Sequence, residues 1–129
     1  MNYLILLGRI FYSAIFLMSA PSLFTKGTIG YAAGHGVPLA SIAVPMSGVI
    51  ALAGGLSISL GFRAKFGAWL LVLFLVPVTV MIHNFWAVED PAAATIQQIM
   101  FMKNLSMLGA ALLIAYFGSG PLSVDSRIR

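Results

Sequence analysis

The feature that most constrains this chain is a set of four apolar runs, at residues 3–23, 39–60, 66–86 and 97–117, which fill most of its 129 residues. Each is about 20 residues long, and a helix of that length spans about 30 Å, the thickness of the hydrocarbon core of a bilayer. A helix of a water-soluble protein keeps a polar face opposite its apolar one. These runs leave no polar face over. The expected fold is all-α: a polytopic membrane protein built as an antiparallel four-transmembrane-helix bundle, one domain over residues 1–129.

Composition narrows the chemistry. Hydrophobic residues make up 60% of the chain and charged residues 8%, and no hydrophilic stretch exceeds a short loop, so no soluble catalytic domain is expected. Cysteine is absent, which removes disulfides, thiolate nucleophiles, iron–sulfur ligation and the usual zinc sites. The net charge of +4 comes from cations scattered over span ends and loops. They form no basic patch, so no nucleic-acid partner is expected, and membrane orientation accounts for them better. The opening MNYLILLG lacks the positive region of a signal peptide. Met18 stands where cleavage wants a small residue and Pro21 follows Ser19 and Ala20, so the first run reads as a retained span.

Four spans place both termini on one side of the membrane. Arg9, Arg63, Lys65, Arg127 and Arg129 gather there, whereas the other side carries Lys26 and Lys103 with the acids Glu89 and Asp90. Positive loops stay cytoplasmic, which predicts N-terminus and C-terminus inside. The segment GYAAGHGVP at 30–38 and HNFW at 83–86 then face outward, with Tyr31 and Trp86 in an aromatic belt. The 30–38 segment has to lie at the interface or fold over the bundle mouth, because lipid offers its backbone no partners. Within the second run, Ser47, Ala51, Gly55 and Ser59 recur every four residues beside Gly54. Such a row of small residues lets a neighbouring backbone approach, within the bundle by preference, although the same row could serve a homo-oligomer. Ala111 and Ala115 offer a weaker ridge. Pro45 and Pro77 should bend their helices.

Charge within a bilayer costs on the order of 2.5–3.5 kcal/mol on insertion scales, so each buried cation asks for a reason. Arg9 lies about two turns inside the first span. It either snorkels to the headgroups or grips an anionic group within the bundle. Lys103 lies at a similar depth from the other end, and polar neighbours gather at its level: His83, Asn84 and Trp86 from the preceding span, with Gln97, Gln98 and Asn104 beside it. His83 titrates near neutrality without help, and beside a lysine it tends to be neutral, with one ring nitrogen to donate and one to accept. The group could hold a quinone carbonyl, a phospholipid phosphate or a small anion. The plainer alternative is that His83 bonds a helix end or a headgroup. No metal-ligand spacing, nucleotide motif or nucleophile–base pair is present.

Several pieces in order resemble the DoxX family of small membrane proteins. They are LLGRIFYSAIFLMSA near the start, YxxxxGVP at 31–38, AGGL at 53–56 with LGFRAK, HNFW, FMKNLSMLGAALL from residue 101, and GxGPLSxD ending at Asp125. The resemblance implies a four-helix bundle in a bacterial plasma membrane, with a quinone as cofactor and redox-enzyme subunits as partners. It places Arg9, Gly54, Gly55, His83, Asn84, Phe85, Trp86, Lys103 and Asn104 on family motif positions. Ala51 departs from it, standing where members often carry a glutamate.

Two functions follow as expectations. One is a non-catalytic subunit or anchor of a redox assembly, with Arg9, His83, Asn84, Trp86, Lys103 and Asn104 around a quinone or anion. The other is a lipid- or small-anion-binding membrane scaffold or carrier. Membrane lipid is a partner in both.

Overall fold

Hydropathy dictates helices, and helices are what form. The computed structural model describes residues 2–128. Helix α1 runs Asn2–Ser19 and continues as a 3-10 turn, Ala20–Phe24, where Pro21 supplies no N–H for an α-helical bond. A short α2 spans Lys26–Gly34, followed by α3 Ala40–Leu60, α4 Ala64–Met81, a 3-10 turn Phe85–Ala87, α5 Pro91–Phe117 and a closing turn α6 Val124–Arg127. Among the described residues four helices are long and apolar enough to cross a membrane. The chain is a multi-pass, all-helical membrane protein.

The helices pack in the order α1, α3, α4, α5, with α3 between α1 and α4. A central cluster draws on all four: Phe16 from α1, Ile58 from α3, Leu71 and Leu75 from α4, and Met107 and Leu108 from α5. The Phe16 ring meets Phe74 edge-on at 6.2 Å, and the Tyr12 hydroxyl donates to the Met107 carbonyl at 2.7 Å, tying α1 to α5. Large apolar side chains such as Phe11, Met18, Trp69 and Tyr116 point outward, as lipid requires and water would punish.

Lipid is as apolar as leucine, so contact energy between the helices comes from close approach. At Gly54 a Cβ would lie 2.8 Å from the Leu71 side chain and 3.0 Å from the Gly67 carbonyl oxygen; at Gly55 it would lie 3.0 Å from Leu17. Two adjacent glycines thus admit two different neighbours, α4 and α1. The buried line on α3 runs Val44, Gly48, Ala51, Gly55, Ile58, whereas Ser47 and Ser59 are half-buried. A strict four-residue row drifts off a helix of 3.6 residues per turn, so the small-residue seam turns towards the chain's own α1 through Ala51 and Gly55.

Two segments differ from the hydropathy reading. The stretch after Lys26 is a helix, not a loop; the Thr25 side chain caps it by accepting from the Thr28 N–H, which satisfies backbone that lipid could not. Its Ala32 packs with Ala40 and Val44 and reaches Ile82 at the end of α4. Helix α5 starts at Pro91 instead of residue 97, because Asp90 is its N-cap and accepts from the Ala93 N–H at 2.9 Å. Proline is preorganised for the first helical position. At 27 residues α5 rises about 40 Å, more than the hydrocarbon core needs, so it tilts or projects.

Candidate functional site

Two polar places break the apolar bundle, one at each end. At the α2 end, α4 finishes at Met81 and the chain turns through His83 and Asn84 into the 3-10 turn. His83 Nδ1 donates to Gln97 Oε1 at 2.8 Å, so α5 fixes the ring. A cavity of about 190 Å³ opens beside it, and His83, Lys103 and Asn104 line it together with Ser19 and Ser22 from the end of α1. Asn104 is only 4% exposed, yet its amide makes no hydrogen bond within the described residues. Lys103 is exposed, and its ammonium reaches only the Met100 sulfur, at 3.5 Å, a weak acceptor. No carboxylate lines the cavity.

Antiparallel α4 and α5 bring together three of the residues expected there, His83, Lys103 and Asn104. Asn84 and Trp86 lie outside the lining. Asn84 offers its carbonyl to the Ala87 N–H, and Trp86, 60% exposed, packs edge-on against Phe85 and Phe101 at 5.3 and 5.9 Å. Gln97 supports His83, and Gln98 is exposed. Ser19 and Ser22 were not anticipated. Their signal is the Ser-Ala-Pro-Ser break at residues 19–22, which ends α1 in a 3-10 turn beside the cavity. The Ser22 hydroxyl currently donates to the Ser19 carbonyl at 2.7 Å.

Arg9 belongs to the opposite end. It does not snorkel: it is 4% exposed, and its Nη2 donates to the Leu122 carbonyl. Its Nε and Nη1 are buried without a hydrogen-bond partner among the described residues. The segment after Gly118 folds back over the α3–α4 turn to meet it. There Asp125 accepts from the Arg63 N–H with both carboxylate oxygens at 3.0 Å and from the Ser119 hydroxyl at 2.6 Å, while the Asp125 N–H donates to the Gly61 carbonyl at 2.9 Å. Gly61 has φ +70, and a Cβ there would overlap Arg9 Nη1 and Ser123. Arg9 anchors this fold-back and takes no part in the cavity at the other end. Arg129 lies outside the described residues.

The SURF4 family model matches residues 35–129. Inner membrane protein YphA of Escherichia coli is 32% identical over 96% of this chain and 89% of its own length. The Surfeit locus protein 4 homolog of Schizosaccharomyces pombe is 33% identical over 73% of the chain, and ER-derived vesicles protein ERV29 of Saccharomyces cerevisiae is 29% identical over 61%, but the matched part is 30% and 25% of those proteins. No solved structure matches. These matches overturn the DoxX resemblance. Some of the pieces that carried it are helix ends and turns, with Gly61 as a left-handed C-cap and glycines at φ +82 and +73 at positions 118 and 120; the longer ones lie inside α1 and α5. Turn residues and apolar helix interiors both answer to the needs of a small membrane bundle, so they are poor markers of family. The expectation of a quinone and of redox-enzyme partners loses its main support with that resemblance. The chain belongs to the SURF4 family.

Proposed function

We propose that this protein is a lipid- or small-anion-binding membrane scaffold or carrier, and that the cavity between α1, α4 and α5 holds the anionic group of its ligand. One observation carries the reading. Lys103 and the almost wholly buried Asn104 line one cavity that no carboxylate shares. An ammonium and an amide side by side suit a ligand that accepts hydrogen bonds. Lys103 supplies charge to the same cavity and has only a thioether for a partner; no acid competes for it. The ligand is therefore an anion with acceptor oxygens, of which phosphate is the simplest type. His83, Ser19 and Ser22 line the same cavity and add polar atoms to it. No residue here is given a catalytic role.

The same reading takes residues 1–129 as one domain, with both termini cytoplasmic. The basic residues Arg63, Lys65 and Arg127 surround the tail end of the bundle, which the positive-inside rule assigns to the cytoplasm. The cavity then opens towards the outer leaflet. Similarity to E. coli proteins named for the inner membrane supports that membrane as the location.

The test is native mass spectrometry of protein extracted in mild detergent. Lys103→Gln should retain about tenfold less anionic lipid than the wild type, the equivalent of one charged hydrogen bond. Equal retention in both removes the basis of the reading. A co-purifying oxidoreductase would restore the redox-subunit reading in its place.

A further inference from the structure

The polar cavity has an apolar neighbour. A groove of about 530 Å³ runs between α3 and α4 beneath α2, lined by residues such as Val44, Ser47, Ile50, Pro77 and Met81. Leu23, Phe74 and Val78 line both spaces, so one wall of side chains separates a polar chamber from an apolar one. The groove carries no charged residue, and α2 covers its outer end through Thr28 and Tyr31. Pro77 lies on its floor, where the missing helix N–H leaves the backbone without a donor. The Ser47 hydroxyl is already spent on the Val44 carbonyl of its own helix, at 2.6 Å, so at mid-groove the lining is apolar.

We infer that the ligand is a phospholipid whose phosphate sits between Lys103 and Asn104 and whose acyl chain crosses the Leu23–Phe74–Val78 wall into the α3–α4 groove. This rests on the anion-binding reading and adds the source of the anion. A free phosphate would fill the polar chamber and leave the groove to the surrounding lipid. A tethered chain couples the two chambers. Burial alone gives no selectivity, because lipid tails find the bilayer as favourable as the groove. What distinguishes the bound lipid is that its head is charge-paired beside the groove that takes its tail. The groove therefore lengthens the hold on a lipid that the head site has already selected, and it leaves zwitterionic lipids at their ordinary exchange rate.

The experiment uses the full chain, delipidated and reconstituted in phosphatidylcholine nanodiscs containing a minority of phosphatidylglycerol, with bound lipid read by native mass spectrometry after release. Glycerol 3-phosphate serves as the chainless probe in parallel. Ser47→Phe and Ala43→Phe each fill the groove from a half-buried position on α3. Two variants guard against one failing to fold, and each is checked by its thermal transition. The expected result is that both reduce retained phosphatidylglycerol to the phosphatidylcholine level while glycerol 3-phosphate binding matches the wild type. Lys103→Gln should weaken both probes. If the groove-filled variants keep wild-type phosphatidylglycerol while Lys103→Gln loses it, the anion site stands and the acyl-chain inference is wrong. If Lys103→Gln changes neither probe, the anion site itself is refuted and the inference falls with it.

Discussion

Gly61→Ala probes the tail fold-back most sharply. Position 61 has φ +70, a left-handed conformation that costs an L-residue roughly 1–2 kcal/mol. The new methyl would also overlap Arg9 Nη1 and the Ser123 side chain. Relief requires the guanidinium to withdraw from the Leu122 carbonyl or the tail to lift off the α3–α4 turn. Either move gives up hydrogen bonding to a charged group, worth about 1.5–3 kcal/mol. Gly36 is the matched control: its φ is +82, yet nothing stands within 4 Å of where a Cβ would go. Gly36→Ala should therefore show the conformational cost alone. The difference between the two variants is expected at about 1.5–3 kcal/mol, measured by reversible unfolding in detergent, with hydrogen exchange at the Asp125 amide rising only in Gly61→Ala. Equal losses in both variants, with unchanged exchange at Asp125, would refute the contact between Arg9, Gly61 and the tail.

Other predictions follow from the same geometry. Asp125→Asn keeps the shape but weakens acceptance from the Arg63 N–H and the Ser119 hydroxyl; exchange at the Arg63 amide should rise about tenfold. Gly67→Leu would drive a side chain into Ser57 and the Gly54 carbonyl, so it should cost more than 2 kcal/mol and lower the yield of folded protein in detergent. Asp90→Ala removes the N-cap of α5, with an expected loss of about 1 kcal/mol seen as faster amide exchange at Ala93.

The all-helical, multi-pass fold was legible because hydropathy alone settles it: an apolar run of about 20 residues has few alternatives in a bilayer. Part of the cavity was legible for a related reason. His83 and the pair Lys103 and Asn104 lie at matching depth on consecutive antiparallel helices, so shared level implied proximity. Depth says nothing about azimuth, however. Asn84 and Trp86 share that level yet lie outside the lining, because the chain leaves the α-helix at Met81 and the 3-10 turn rotates them away. The start of α5 was misjudged because the small residues Pro91 to Thr95 add little hydropathy, although Asp90 and Pro91 carry the capping signal. The partner of Arg9 lies 113 residues away in sequence, and no local pattern announces a contact of that range. Family membership was misread because the pieces that suggested it were turns and apolar helix interiors, whose residues answer to bundle geometry before ancestry.

The most direct measurement of the central claim is a high-resolution structure of the protein in nanodiscs of its own lipid extract. The expected result is tetrahedral phosphate density in the cavity of about 190 Å³, within hydrogen-bond reach of Lys103 Nζ and the Asn104 amide, with acyl density leading past Phe74. A cavity holding water alone, with Lys103 extended into the headgroups and Asn104 bonded within the protein, would contradict it.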